Sequence, residues 1–328
     1  MPKVLQVSAR GIYDAQVSVN RLICLDHYLL GLTVWGFPAS EPGQFVNVLC
    51  RPVEPVPGAR GVDWPAGRAF RLTGAELQGR RPLLRRPLSL AGRRDLGGGR
   101  AELELIFHVI GVGTAAMAEM PVGARVNLMG PLGRGFRLVD KPTAVLIGGG
   151  AGIPPLLYLA EVLQSRGREA VAFAGARTGR LLPLTIDPAE PPSQAGWPTR
   201  CTAEFAARGA DTAIATDDGS LGAPGMVHDV FLRWLERRPQ VEAKLRPVRG
   251  ANGLAVYACG PEPMLQAVAA ACIERNIPCQ VSMERHMACG VGTCQGCVHK
   301  FKADPPAGWR YRLVCSDGPV FDAREIVW

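Results

Sequence analysis

Along the first 139 residues, apolar positions come in short alternating or continuous runs, never at the three-and-four spacing of a long amphipathic helix. The runs fall at 13–20, 28–35, 44–50, 103–109 and 125–129, with Gly and Pro between them. Strands punctuated in this way predict a small antiparallel barrel. Residues 51–68, rich in Pro, Gly and Arg, read as a surface excursion.

The pattern changes at Ala144. A continuous apolar run over 144–148 leads through glycines into a helical stretch at 154–164. Strand runs at 170–174, 210–216 and 254–258 then alternate with helical runs at 227–237 and 263–274. That alternation predicts an α/β domain on a parallel sheet. Leu265, Val268 and Cys272 recur at helical spacing and read as core. The segment 183–199, Pro-rich and polar, reads as an exposed loop. Residues 280–328 are too few for a stable core without a metal. The expected fold class is therefore β followed by α/β: a barrel at 1–139, a parallel-sheet domain at 140–279 and a small C-terminal unit at 280–328.

Composition narrows the class. With 328 residues and 47% hydrophobic content, the chain has the material for two or three packed domains. The net charge of +8 is spread along the chain. Its densest basic patch, Arg80, Arg81, Arg85 and Arg86, suits a phosphate or an acidic partner. Aromatic residues do not interleave with it as on a nucleic-acid surface, so no nucleic acid is expected. No run is long and apolar enough for a membrane span or a secretory leader, and the expected location is cytoplasmic. Cys24, Cys50, Cys201, Cys259, Cys272 and Cys279 are scattered, as reduced thiols would be.

The other four cysteines are not scattered. Cys289, Cys294, Cys297 and Cys315 follow the spacing C-x4-C-x2-C…C, the ligand pattern of a plant-type [2Fe–2S] cluster. Gly290, Gly292 and Gly296 lie between them, leaving backbone amides bare for the negative charge of such a centre. A zinc site is the alternative, since Cys294 and Cys297 form a C-x-x-C, but zinc ribbons pair two such knuckles and Cys315 has no near partner. A disulfide framework belongs to small secreted domains. His286 and His299 lack a Rieske spacing and read as solvated or neighbouring groups.

Several further motifs carry chemistry. Gly148-Gly-Gly-Ala-Gly-Ile-Pro154 sits between a predicted strand and a helix, where amides and the helix dipole favour a pyrophosphate. A plain turn remains the bland reading. Tyr257-Ala-Cys-Gly-Pro-Glu-Pro-Met264 repeats the strand-to-helix arrangement, with Cys259 either beside a reactive ring or simply a buried thiol. Arg85-Arg-Pro-Leu-Ser-Leu90 places an Arg three residues before a Ser on one strand, suited to a phosphate and a polar ring edge. Gly111-Val-Gly-Thr114 opens a helical stretch and suits a second diphosphate. Met129-Gly-Pro-Leu-Gly-Arg-Gly-Phe136 reads as a turn-rich closure of the barrel.

In this order, and with Thr216-Asp-Asp-Gly-Ser220 and Asp317-Gly-Pro-Val-Phe321, these motifs resemble the ferredoxin-reductase-like flavoproteins over nearly the whole chain. Among them they resemble the PyrK-type electron-transfer subunits of NAD-dependent dihydroorotate dehydrogenase. The resemblance implies FAD on the barrel, NAD on the α/β domain and the [2Fe–2S] cluster at the C-terminus. It implies that Arg86, Pro87, Leu88 and Ser89 contact the flavin and its phosphates, and that Gly113 and Thr114 hold the diphosphate. It implies that Gly148, Gly149, Gly150 and Gly152, with Cys259, Gly260 and Pro261, receive the nicotinamide nucleotide, Cys259 being the residue nearest the chemistry. It also implies that Ala176 and Arg177 border its adenosine half. The implied partner is an FMN-containing catalytic subunit in a two-plus-two heterotetramer, working in pyrimidine synthesis. NAD exchanges electron pairs, the cluster single electrons, and a flavin between them converts one to the other. No residue here reads as a base for dihydroorotate, so the substrate is expected on the partner. The same motifs serve reductase subunits of other complexes, such as a sulfhydrogenase, and stand-alone oxygenase reductases. Long loops at 51–68, 183–199 and 239–252 and a wide gap between Cys297 and Cys315 depart from the family pattern.

Overall fold

A computed structural model describes residues 10–53, 84–245 and 253–328. Most of the 51–68 excursion, Arg80, Arg81 and the end of the 239–252 loop lie outside these residues.

Six antiparallel strands close a barrel in the order β1-β2-β5-β4-β3-β6. They are β1 (Gly11–Cys24), β2 (His27–Trp35), β3 (Phe45–Val48), β4 (Arg86–Gly97), β5 (Arg100–His108) and β6 (Arg125–Leu132). The alternation in sequence is the alternation in space. Leu30, Leu32 and Val34 of β2 point inward with Ala101, Leu103, Leu105 and Phe107 of β5, all buried. The short helix α1 (Val112–Ala118) plugs one end, burying Met117.

The second layer is a seven-stranded sheet in the order β10-β9-β8-β7-β11-β12-β15. Its strands are β7 (Thr143–Gly149), β8 (Glu169–Ala176), β9 (Asp211–Thr216), β10 (Ala223–Pro224), β11 (Leu254–Gly260), β12 (Cys279–Met283) and β15 (Val320–Asp322). All pairings are parallel except that of the edge strand β15, which runs antiparallel to β12. Helices α2 (Ile153–Ser165), α3 (Ala203–Ala206), α4 (Val227–Leu245) and α5 (Glu262–Glu274) accompany these strands. Helix α2 is buried from Ile153 through Ala160 without a break, because it is covered on both sides. One side packs on the sheet. The other meets the barrel, where Tyr158 Oη donates to the Ser40 carbonyl at 2.8 Å.

Two sequence expectations shift. Residues 239–245, read as loop, continue helix α4 to Leu245 through Pro239. A proline inside a helix removes one hydrogen bond, which is not always enough to end it. The boundary expected near residue 280 falls inside β12, and β15 joins the same sheet. The buried residues Cys297, Phe301, Val314, Cys315, Phe321 and Ile326 accordingly share one continuous core with β11, β12 and α5. The C-terminal segment thus has a protein core behind it. Its wide cysteine gap is filled by a two-stranded ribbon, β13 (Val298–Lys302) with β14 (Trp309–Leu313), followed by the single turn α6 (Val314–Asp317).

Candidate redox site

The barrel contributes the start of β4. Arg86, Pro87, Leu88 and Ser89 are all half-buried, whereas Leu90 and Ala91 are fully covered. This half of the strand keeps free surface on both faces. The two adjacent arginines divide their work. Arg85 turns into the barrel wall, donating to the carbonyls of Asn47 at 3.3 Å and Asn127 at 3.0 Å and to the Asn127 side chain. It stitches β3 to β6. Arg86 instead lies against the start of α1, where a β carbon on Gly113 would stand 3.1 Å from Arg86 Nε. The structure therefore brings Arg86, Gly113 and Thr114 together from sequence positions far apart. The Thr114 hydroxyl is occupied by its own loop: it accepts from the amides of Ile110 at 3.0 Å and Gly111 at 3.2 Å. It shapes the turn, and an anion here would meet the backbone amides of the first helical turn.

The sheet contributes two glycine loops that are one structure. Gly148 and Gly149 end β7, Gly150 and Gly152 form a tight turn, and α2 follows. Cys259 and Gly260 end the adjacent strand β11, with Cys259 in register with Gly148, and Pro261 caps α5. A β carbon on Gly152 would sit 2.1 Å from the Cys259 carbonyl oxygen. Gly152 therefore lets one loop press on the other, and only Gly150 faces open space. Pro154 and Pro155 also remove two amides from the first turn of α2. Both loops lie at the carboxyl ends of parallel strands, where open α/β sheets receive ligands. Cys259 is 4% exposed, and burial holds its thiol protonated. It offers a small neutral surface.

The C-terminal segment contributes the cysteines. Amide-to-sulfur hydrogen bonds link Cys289 with Cys294 and Cys297 with Cys315. Cys289 Sγ accepts from the amides of Val291 and Cys294, each at 3.4 Å. Cys297 Sγ accepts from the Cys315 amide at 3.3 Å. Among the described residues no three His, Cys, Asp or Glu side chains converge on one point as a single ion requires. The two linkages, 289 with 294 and 297 with 315, suit a dinuclear centre. Backbone hydrogen bonds from Cys294 and Val291 lower the Cys289 pKa to about 6, and burial beside Cys297 raises that of Cys315 to about 12. The pair at 289 and 294 faces outward, since Cys294 is exposed, while Cys297 and Cys315 are buried.

Two side chains missed by the sequence motifs, Asn47 and Arg285, bind these parts together, and a third, Glu284, stands beside them. Asn47 of β3, opposite Pro87 in the ladder, donates to the Cys289 carbonyl at 2.9 Å. Arg285 makes a two-pronged pair with Glu262 of α5, at 2.7 and 3.1 Å, and meets His299 Nδ1 at 2.5 Å. Arg285 holds the Glu262 carboxyl below its usual pKa. Glu284 follows β12, next to Met283, which is in register with Gly260. Solvent reaches it, yet enough protein surrounds it that lost hydration raises its pKa. The only sequence signal for any of them was a polar residue in an apolar strand, and Asn47 gave it. The motif at 317–321 acts as a strap: Asp317 accepts from the Leu313 amide at 2.8 Å, and Gly318 accepts from Arg134 of the barrel exit at 2.5 Å.

Residues 284–327 match the family described as the iron-sulfur cluster binding domain of dihydroorotate dehydrogenase B. Over 251 residues the chain is 39% identical to the dihydroorotate dehydrogenase B (NAD(+)) electron transfer subunit of Bacillus caldolyticus, covering 75% of this chain and 81% of that one. The corresponding subunit of Desulforamulus reducens is 32% identical over 319 residues, 97% of this chain and 98% of the relative. The chain belongs to the family of dihydroorotate dehydrogenase B electron-transfer subunits. It is thus an oxidoreductase subunit, and its four paired cysteines lie within the family's cluster-binding domain. Solved structures agree on the fold. An electron-bifurcating NADH-dependent reduced ferredoxin-NADP oxidoreductase superposes with a TM-score of 0.65 at 21% identity, covering 96% of this chain and 90% of its own. A cytochrome P450 reductase of Amycolatopsis gives 0.53 at 23% identity, covering 83% and 68%. Among the described residues no helix is long and apolar enough to cross a membrane.

Proposed function

We propose that this chain carries electrons from an FMN-bearing catalytic subunit, which oxidises dihydroorotate to orotate, through a [2Fe–2S] cluster and FAD to NAD+. Cys289, Cys294, Cys297 and Cys315 hold the cluster. Arg86, Pro87, Leu88 and Ser89 line the flavin, and Gly113 and Thr114 shape the bed of its diphosphate. Gly148, Gly149, Gly150 and Gly152, with Cys259, Gly260 and Pro261, receive the nicotinamide nucleotide. When bound, a flavin exchanges an electron pair with a nicotinamide and single electrons with a cluster, which suits it to the middle position.

The observation that carries the reading is the hydrogen bond from Asn47 to Cys289. It ties a cysteine ligand to the strand beside Pro87, so the cluster loop and the Arg86–Ser89 stretch are immediate neighbours. Arg285 ties the same segment to α5, which Pro261 caps. The three candidate cofactor positions therefore share one rigid junction. The catalytic subunit, in a two-plus-two assembly, brings the substrate site and its base.

Anaerobic co-purification with a dihydroorotate dehydrogenase catalytic subunit from the same source tests the reading. Flavin and iron–sulfur absorption, iron with acid-labile sulfide, and dihydroorotate-dependent NAD+ reduction only in the joint preparation are expected. A colourless chain, or one that oxidises dihydroorotate unaided, overturns it.

A further inference from the structure

The hairpin that joins β1 to β2 carries two imidazoles face to face at its tip. His27 of β2 and His108 of β5 are cross-strand partners, with ring centroids 4.4 Å apart and planes 3° from parallel. His27 is 3% exposed, and its Nδ1 meets the Leu25 carbonyl at 2.8 Å. A carbonyl only accepts, so Nδ1 carries the proton and Nε2 is the basic atom. Asp26, between Leu25 and His27, takes a φ of +56°, uncommon for a residue with a side chain. Two backbone bonds hold this bend. The Val109 amide donates to the Asp26 carbonyl at 2.7 Å, and the Leu25 amide donates to the Arg180 carbonyl at 3.0 Å. The second bond crosses from the barrel to the loop after β8. That loop is tied onward: the Gly179 amide donates to Ser220 Oγ at 2.9 Å, and Ser220 Oγ donates to Asp218 Oδ1 at 2.6 Å. The Thr216–Ser220 motif thus ends a line of contacts that begins at the histidines.

We propose that the stacked pair is a pH-sensitive latch. Protonation of His27 separates the rings, releases Leu25 from Arg180 and loosens the loop at 178–181. Neutral rings lie flush at this distance, whereas two imidazolium cations repel, and even one is poorly hydrated in the buried position. Burial holds the His27 pKa below its ordinary value, and His108 adds to the effect. The Leu25 bond and Asp26 pull the other way without reversing it. Cys24, in register with His27, stays neutral, since burial raises its pKa to about 11. Arg180 meets the hairpin through its backbone, and its side chain is exposed. The bend at Asp26 adds a bias toward opening, because strain of this kind persists only while its surroundings enforce it. The opened form takes up a proton that the latched form resists. The latch is therefore closed above about pH 6.5, the ordinary imidazole pKa, and weakens as pH falls below it. The loop follows Arg177, at the adenosine side of the nucleotide position. An effect on nucleotide affinity is expected on the functional reading above; the latch itself does not depend on that reading.

Hydrogen exchange on the full chain, read by mass spectrometry at about pH 5.5 and pH 8 with labelling times corrected for intrinsic exchange, tests the latch. In the wild type, peptides spanning 22–30 and 177–182 are expected to lose protection at the lower pH by about tenfold, the equivalent of one pKa unit. His27→Gln removes the titrating ring and should abolish that difference. Should His27→Gln fail to fold, His108→Gln decides: it leaves His27 beside an uncharged neighbour, and the difference should shrink. Equal protection at both pH values in the wild type, or an undiminished difference in the variant that folds, overturns the latch. Binding of NAD+ measured across the same range is expected to weaken at the lower pH in the wild type and not in the variant. Unchanged NAD+ affinity despite a released loop overturns the link to the nucleotide and leaves the latch standing. A chain that never binds NAD+ overturns the functional reading, and hydrogen exchange still judges the latch.

Discussion

Asn47 Nδ2 donates to the carbonyl oxygen of Cys289 across 2.9 Å and 242 residues of sequence. Asn47 is 2% exposed in a strand whose other members, Phe45, Val46 and Val48, are apolar and buried. A buried amide in that setting is stable only when bonded. Gly290 adjoins the contact: with φ at +71°, it leaves room for Asn47, and a β carbon there would stand within 2.3 Å of Asn47 Nδ2. Replacing Asn47 with Ala leaves the Cys289 carbonyl without its donor. A loss of about 1–3 kcal/mol is expected. Thermal melting should fall together with iron content, since the loop and the barrel loosen from one another. Unchanged melting would show the bond to be incidental.

Adjacent arginines should fail in different ways. Arg85→Ala removes three hydrogen bonds joining β3, β4 and β6 and is expected to lower barrel stability by several kcal/mol, at about 1.5–3 for each bond to a charged donor. Among the described residues, Arg86→Ala removes only bonds to the carbonyls of Leu84 and Arg85, both at 3.2 Å. It should fold and melt nearly as wild type but leave purification with its yellow colour reduced. Titration with FAD followed by fluorescence separates the two, because only the second chain has an intact barrel to refill.

The glycine loop makes a sharper contrast. Gly152→Ala would put a methyl group 2.1 Å from a backbone oxygen that cannot rotate away, and folded protein should not be recovered. Gly150→Ala meets nothing within 4 Å and suffers only its φ of +52°, a strain of about 1–2 kcal/mol. That variant should fold, and any rise in its KM for NAD+ reports how closely the nucleotide passes Gly150.

How much of this was legible beforehand follows from what kind of interaction each part uses. Period-two runs such as 28–35 and the buried run 144–148 have their inward faces dictated locally, and they became β2 and β7. The cysteine spacing is local chemistry and was readable as it stood. The glycine motif after β7 lies on a strand-to-helix turn, as its spacing predicts, but the need for glycine at 152 is tertiary: the pressure there comes from Cys259, more than a hundred residues away. Asn47, Arg285 and Glu284 act through tertiary contacts alone. No spacing within the sequence announces that Asn47 will face Cys289. For a similar reason the sequence does not show that β12 and β15, which flank the cysteine loop along the chain, lie side by side in the sheet.

The pH response of Glu284 follows from its surroundings. Lost hydration raises its pKa in the folded chain, so the folded state binds a proton that the unfolded chain releases at lower pH. Between the ordinary carboxylate pKa and the raised one, the folded state carries more protons, and its stability falls as pH rises. Above the raised pKa the cost is complete. Glu284→Gln removes the titrating proton while keeping the shape. The variant should melt higher than wild type at pH 8, and the gain should shrink to nothing as pH drops below the ordinary carboxylate range. If the carboxylate also serves the site at the end of β11 and β12, the same substitution will slow NADH oxidation by an artificial acceptor while the protein itself grows more stable. Melting curves and rates across pH 4 to 8, compared on one preparation, distinguish a site that gives up stability for chemistry from one that is merely crowded. A variant that loses stability at high pH would reverse the sign of the argument and remove Glu284 from it.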